Sequence, residues 1–440
     1  MNNKNKPARR WPMAPLVAGL LWVSPGWGQV LDEDTAYLDR IFAEGMEALQ
    51  EERFRTAIEA FNTILSQDPS LHRARLELAL AYYRSFRYEE AERYARQVLA
   101  DPETPDNVRV TIAAFLAQVR KDARRAGERH FKELELTLGY MHDSNVAAGP
   151  ADELIELGDV TLTLGPDSQE EADSATVLNG NVRHTYNPNK VLALGERYSS
   201  FLWQTTAAVY HRDYWEEHDF DLSIFTLSTG PALVTPRFWR GSLQFNFDYL
   251  ELGGEDLAYF YTARPFMTWQ FGLTELMLDA TYTRRIYDNE DDRGREGDYF
   301  SGGFTLGRFF LQRKLALQGG AQLVDFSADD DQFGYDGYDL YLGASFQAWA
   351  GGNVFARANY RKSDYDDDAV FFVDTTPVAT EPRDEDEWRL SAGFQHRFSK
   401  SFMKKWRLEG WVEHTDNQSN IEVYDYNRTQ ISLQLSRSFF

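Results

Sequence analysis

The stretch "LSAGFQHRF", Leu390 to Phe398, places an apolar or aromatic side chain at every second position. Leu390, Ala392, Phe394, His396 and Phe398 fall on one face of an extended chain, and Arg389, Ser391, Gly393, Gln395 and Arg397 on the other. A strand sends successive side chains to opposite sides, so this period of two reads as a strand with one apolar and one polar face. The same pattern recurs from about residue 130 to the end of the chain. "ELELTLGY" aligns Leu134, Leu136, Leu138 and Tyr140, and "SLQFNFDY" aligns Leu243, Phe245, Phe247 and Tyr249. "LYLGASFQAW" alternates Leu340, Leu342, Ala344, Phe346 and Ala348 against Tyr341, Gly343, Ser345 and Gln347.

These strands often run to ten or more residues, the length of about 9 to 11 that crosses a membrane. A dry-cored sandwich would use shorter ones. Fourteen centres are counted, near 136, 180, 196, 225, 246, 262, 281, 304, 319, 342, 357, 392, 410 and 433. An even number returns both ends of a bacterial barrel to one side, and a backbone in lipid must satisfy all its hydrogen bonds, so the sheet should close. The predicted fold is therefore a transmembrane antiparallel β-barrel of about fourteen strands behind a helical domain. Arg389, Gln395, Arg397 and Glu409 are candidate lumen residues, forming a solvated ion-pair network. Acidic stretches at 288–298, 327–337 and 374–387 read as long outer loops, and "LGGED" and "QRK" as short links between them. Trp269, Trp349, Trp388, Trp406 and Trp411 lie near expected strand ends, where the interface belts of a membrane place tryptophan. The chain stops on a strand, "RTQISLQLSRSFF", whose final Phe440 falls on the serine face.

The start is of another kind. Lys4, Lys6, Arg9 and Arg10 precede a short apolar run centred on Leu16–Val23, with Gly26 and Gly28 before a cut. This is the pattern of a secretory signal peptide over 1–28. The 440 residues include no cysteine, so disulfide and thiol chemistry are excluded. No window after the start approaches 18 apolar residues, which excludes a helical membrane bundle. The formal charge of −23 argues against nucleic-acid binding.

Residues 29–127 form the predicted helical domain and 128–440 the barrel. "ERFRTAIEAFNTILSQDP" (Glu52–Pro69) and "FRYEEAERYARQVLADP" (Phe86–Pro102) repeat each other. Phe54 and Tyr88 are 34 apart, as are Ala57 and Ala91, and Pro69 and Pro102 are 33 apart. That period, with a small residue where two helices touch and a proline after the second, is the tetratricopeptide signature. Phe61 and Leu65 fill the gap beside the alanine, and a degenerate third unit runs from Pro105 to about Gly127. Such repeats stack into a curved surface that holds a peptide or partner domain. Arg73, Leu76, Leu80, Tyr83 and Arg84 are the candidate docking residues on the first helix of the second repeat.

Following the repeats comes "LTLGYMHDSNVAAGP" (Leu136–Pro150). Its Gly139-Tyr140 pair with Asp143, Ser144, Asn145 and Val146 resembles the first barrel strand of the surface lipoprotein assembly modulator family, also named type 11 secretion system outer-membrane proteins. "LALAYYRSFRYEEAERYARQVL" resembles that family's last repeats, and "VRVTIAAFLAQV" its link to the barrel. The resemblance implies an outer-membrane location with the repeats in the periplasm. It implies a protein client, lipidated or soluble, and periplasmic chaperones as partners. Outer-membrane lipid and a monomeric state are also expected. Asp143 and Asn145 are expected to cap the turn after the first strand.

Three other functions compete. A passive porin predicts steady conductance without a client, but needs no peptide-holding module. An enzyme is disfavoured: His142, Asp143 and Ser144 are adjacent, a poor arrangement for a relay. Scattered His184, His211, His218, His396 and His414 show no metal-ligand spacing, and no phosphate loop is present, so no cofactor is expected. An adhesin or scaffold would bind through the barrel alone.

Overall fold

The structure, a computed structural model, describes residues 33–151, 154–157, 160–165, 169–373, 376–399 and 401–439. The expected signal peptide and Phe440 lie outside the described residues. Five helices come first: α1 (Glu33–Gln50), α2 (Phe54–Gln67), α3 (His72–Arg84), α4 (Tyr88–Ala100) and α5 (Asp106–Gly127). Ala57 and Ala91 are wholly buried, so paired helices approach closely there. Gly45 does the same for α1, since a Cβ there would come within 2.9 Å of Phe61. Phe54, Phe61, Ile64, Leu78 and Tyr82 fill the core between the pairs, with Tyr88 packed at its margin. Helices α2 and α4 stop two residues before Pro69 and Pro102, whose missing N–H and ring forbid continuation. The third unit is a single helix, α5, whose Ile112, Leu116 and Val119 cover the second repeat. Among the described residues no helix is long and apolar enough to cross a membrane.

Three residues after α5 the period-two pattern begins, as β1 (His130–Asp143). The remaining strands are β2 (Leu154–Leu157), β3 (Val160–Thr163), β4 (Asp173–Tyr186), β5 (Val191–Leu194), β6 (Arg197–Tyr214), β7 (Leu222–Thr235), β8 (Trp239–Leu252) and β9 (Glu255–Phe271). They continue as β10 (Thr274–Tyr287), β11 (Gly297–Phe310), β12 (Leu315–Ala328), β13 (Tyr335–Trp349), β14 (Gly352–Val373), β15 (Thr376–Arg397), β16 (Trp406–Ser419) and β17 (Tyr426–Ser438). Fourteen of these close a barrel: β1 pairs with β4, β4 with β6, then each with the next to β17, which returns to β1. All pairings are antiparallel, and the return of β17 to β1 leaves the wall without an open edge. β2 and β3 form a separate hairpin, and β5 only lengthens the β6 hairpin.

The alternation sorts cleanly by face. Leu136, Leu138, Phe245, Leu306, Leu342, Leu390 and Leu433 are exposed on the outer wall, where lipid would cover them. Aromatic rings meet across strands on that wall, among them Tyr360 and Trp388 at 4.9 Å and Tyr282 and Phe300 at 4.9 Å.

Several expectations change. The strand centre near 196 falls in the turn between β5 and β6, because Asn187–Lys190 interrupt the strand that precedes it. Acidic 374–387 is mostly the start of β15, which pairs with β14 in a hairpin of two 22-residue strands. "LGGED" lies on the same rim as the acidic loops, not opposite them; Gly253 (φ 58) and Gly254 (φ 80) make a two-residue hairpin turn there. Trp411 sits opposite inward-facing Gly393, so it faces the lumen and not the belt.

Candidate functional site in the lumen and at the repeat-bearing rim

Arg389, Gln395 and Arg397 of β15 share the inward face with Glu409 of β16, which stands directly opposite Gln395. The Arg389 guanidinium donates to Glu387 at 3.0 Å and lies 3.7 Å from Glu413. Gln395 donates to Glu409 at 3.3 Å. Arg407, opposite Arg397, joins Glu409 at 3.6 Å and Glu135 of β1 at 2.8 Å. These contacts make a charged ladder that reaches β15, β16 and β1; Arg397 shares the face but joins none of these pairs.

The motif after β1 does more than cap a turn. Asn145 does act as a cap: its amide donates to the Gly149 carbonyl at 2.8 Å and to Asn427 at 3.0 Å, and its side-chain oxygen accepts from the Gly149 N–H at 3.1 Å. Ser144 Oγ accepts from the Thr429 N–H at 2.8 Å. Asp143 is completely buried. It accepts from Arg428 Nε at 2.9 Å, the Tyr214 hydroxyl at 2.8 Å and Gln430 at 2.7 Å. One carboxylate therefore binds β1, β6 and β17 across the seam where the barrel closes. Gly139 stands opposite Gln434, whose side chain fills the space a Cβ would need. Tyr140 faces outward against Trp215, with ring centres 5.7 Å apart. His142 turns to Ser174 at 3.3 Å, while Asp143 points to the opposite face and Ser144 serves the backbone, so these three neighbours do not form a Ser-His-Asp relay with one another.

Towards the rim away from the helices, Ala148 (φ 52) and the inward faces of β14 and β15 enclose a cavity of about 200 Å³. The Arg383 guanidinium lies between the rings of Tyr365 (3.7 Å) and Tyr424 (4.0 Å) and pairs with Glu385 at 3.3 Å. Arg361 pairs with Asp339 at 2.7 Å beside it. This cluster has no signal of its own in the sequence. Only its place on the inward alternation, within what reads as an acidic loop, foreshadows it.

At the other rim the helical domain is joined to the barrel. Thr56 of α2 donates its hydroxyl to Glu196 at 2.8 Å and its N–H to the same carboxylate at 3.2 Å. The Arg55 N–H donates to the Glu196 carbonyl at 3.2 Å, and Glu52 pairs with Arg237 at 3.5 Å. Tyr198 packs against the repeat core, and Asn187 donates to the Ala126 carbonyl at 3.1 Å. The hydrogen bonds from Thr56 hold the Glu196 carboxyl below its ordinary range.

The five docking candidates lie along one side of α3. Arg73 is exposed and stands over the Phe42 ring at 4.7 Å; Arg84 is exposed and donates to the Leu49 carbonyl at 3.3 Å. Leu76 and Leu80 are half-buried. Tyr83 is half-buried against Phe115 and donates to Asp122 at 2.6 Å. Burial and that bond push its hydroxyl above the usual tyrosine value. All five therefore also hold α3 to its neighbours, Leu76 and Leu80 by packing against the helical core. Spatial proximity also gathers a group that spacing did not show: ligand atoms of Asp213, His218 and Asp221 lie within 4.8 Å of one another near the far rim.

A tetratricopeptide repeat family model matches residues 48–111. No curated protein sequence matches the chain. Among solved structures, an anion-selective porin from Comamonas acidovorans is 9% identical, with 70% of this chain and 99% of that one covered and a TM-score of 0.38. A Pseudomonas aeruginosa FadL homologue is 9% identical, covering 71% and 90%, with a TM-score of 0.37. A loop-deleted OmpT of Vibrio cholerae is 8% identical, covering 71% and 100%, with a TM-score of 0.36. The architecture here rests on the hydrogen-bonded strand order and the repeat match: a tetratricopeptide domain seated on one rim of a closed 14-stranded antiparallel barrel.

Proposed function

We propose that the chain is an outer-membrane translocator in which periplasmic repeats hold a specific protein client, lipidated or soluble, at the mouth of the barrel that exports or displays it. The observation that carries this reading is the bonding of a peptide-holding domain to the barrel rim, through Thr56, Glu196, Glu52 and Arg237. A freely tethered domain would not keep a client in register with the lumen. Arg73, Leu76, Leu80, Tyr83 and Arg84 are the proposed client-facing side, where two guanidinium groups flank a half-buried apolar strip. The resemblance of the repeat and first-strand motifs to the surface lipoprotein assembly modulators supports the same assignment.

A second reading is a passive channel for small solutes, favoured by the charged ladder that keeps the wall polar. Deleting the gene in its host separates the two. Surface-exposed and released proteins would be compared by mass spectrometry after shaving intact cells. Selective loss of one or two proteins, with their build-up in the periplasm, supports export. An unchanged surface and medium with altered small-solute uptake sinks export and leaves the channel.

A further inference from the structure

A cleft of about 700 Å³ lies where the turn between α1 and α2 overhangs the barrel. Its floor comes from the turns that join β7 to β8 and β9 to β10, so it sits at the level where the barrel wall meets the periplasm. Trp239 and Trp269 stand directly opposite each other in the sheet, on the same face as exposed Phe245 and Phe271. That face is the lipid-facing wall. The cleft is therefore continuous with the bilayer and not with the lumen.

Its polar side is built for an anion. Arg197 lies flat over Phe238, 3.4 Å from the ring centre. Its Nε is inaccessible and has no hydrogen-bond partner among the described residues, a state it shares with the Nε of Arg212, Arg383, Arg389 and Arg407. What distinguishes Arg197 is its place in a cleft beside a second guanidinium. Arg237 is beside it, mostly exposed and tied to Glu52 only at 3.5 Å. Both Arg237 (φ 68) and Glu52 (φ 59) hold left-handed backbone across the joint, a conformation that costs energy in non-glycine residues and clusters at functional positions. Glu51, which also lines the cleft, is answered by Arg53 at 2.7 Å.

We propose that this cleft binds one anionic phospholipid of the inner leaflet of the outer membrane. Its phosphate sits between Arg197 and Arg237, as guanidinium groups bind phosphate in charge-assisted pairs. Its acyl chain enters past Phe271 at the rim and continues along Trp269 and Trp239 into the wall, and indoles suit that boundary. The lipid would thereby bridge the helical domain and the barrel. The proposal rests on the barrel spanning the membrane and is independent of whether a protein client passes through it.

The test uses the full chain, purified in mild detergent and incubated with mixed micelles of phosphatidylethanolamine and phosphatidylglycerol. Native mass spectrometry then counts the lipid retained. One phosphatidylglycerol per protein is expected, with occupancy falling roughly tenfold in the Arg197→Gln, Arg237→Gln double variant. Arg313→Gln, in another turn of the same rim, should retain the lipid fully. Heat-modifiable gel migration checks that each barrel is closed. If the double variant fails that check, Phe271→Glu gives a second reading, because it leaves the guanidinium groups and repels the acyl chain; loss of lipid is expected there too. Equal retention by wild type and closed variants overturns the site. Displacement of phosphatidylglycerol by inorganic phosphate alone overturns its assignment to a lipid, and complete displacement by an acylated peptide reassigns it to a lipidated polypeptide.

Discussion

A single carboxylate, Asp143, holds more of this molecule than its surroundings in the sequence suggest. Removing it leaves the partly buried Arg428 without its counter-charge and strips acceptors from Tyr214 and Gln430. Breaking one side of a buried pair costs on the order of 3–5 kcal/mol. Asp143→Ala should therefore lower the temperature at which the barrel loses its folded gel mobility, while a truncation of outward Leu342, exposed on the wall, should not. The motif around Gly139, Tyr140, Asp143, Ser144 and Asn145 is visible in the sequence, but its partners are not. Arg428 lies 285 residues away and Tyr214 lies 71 away, and no local pattern connects them. The docking face shows the converse. Helical spacing correctly puts Arg73, Leu76, Leu80, Tyr83 and Arg84 on one side of α3. It could not reveal that α5 closes over Tyr83 through Phe115 and Asp122.

Among the elements, the helical repeat and the barrel strands differ in how far periodicity alone defines them. Ala57 and Ala91 mark the close approach of paired helices because a small side chain there has one purpose, and both are fully buried. Ala91→Leu should overpack that contact and cost about 1–3 kcal/mol, read as a lower melting temperature of the helical signal with the barrel unchanged. Thirteen of the fourteen strand centres fall within strands, since lipid on one side and polar lumen on the other enforce strict alternation. The exception near 196 and the acidic start of β15 both lie at the rims, past the strand lengths that close the wall, where that pressure lapses. Trp411 misleads for a related reason: composition places tryptophan at an interface, but register decides its face.

The link between α2 and the β5–β6 turn is itself pH-dependent. Glu196 has a depressed pKa in the joined state, chiefly because it accepts the Thr56 hydroxyl. Its contribution is complete above the free glutamate value of roughly 4.3 and is lost as pH falls through the lower, joined-state value. The protection factors of amides at the start of α2, each taken against intrinsic exchange at the same pH, should fall in acid. Glu196→Gln should remove that pH dependence, because an amide oxygen can still accept from Thr56 without titrating.

On the scale of the whole molecule, two units of opposite character share one joint. Residues 128–440 expressed without the helices should still close as a heat-modifiable barrel, because every ladder bond of the wall lies within them. If the repeats deliver a client, that shortened chain should conduct in planar bilayers yet fail to restore surface display in the deletion strain. Equal restoration by the shortened chain would count against the role given to the repeats.

The seam between β1 and β17 also fixes an order of events in time. It joins the first barrel strand to the last, through pairs such as Leu138 with Leu435. Helical hairpins make local contacts and form early, whereas contacts across so long a chain must await its far end. During biogenesis the helical domain is thus already finished while the sheet beside it still has a free edge. Until β17 arrives, β1 is paired with β4 on one side only, and its other side is an open template next to a folded module.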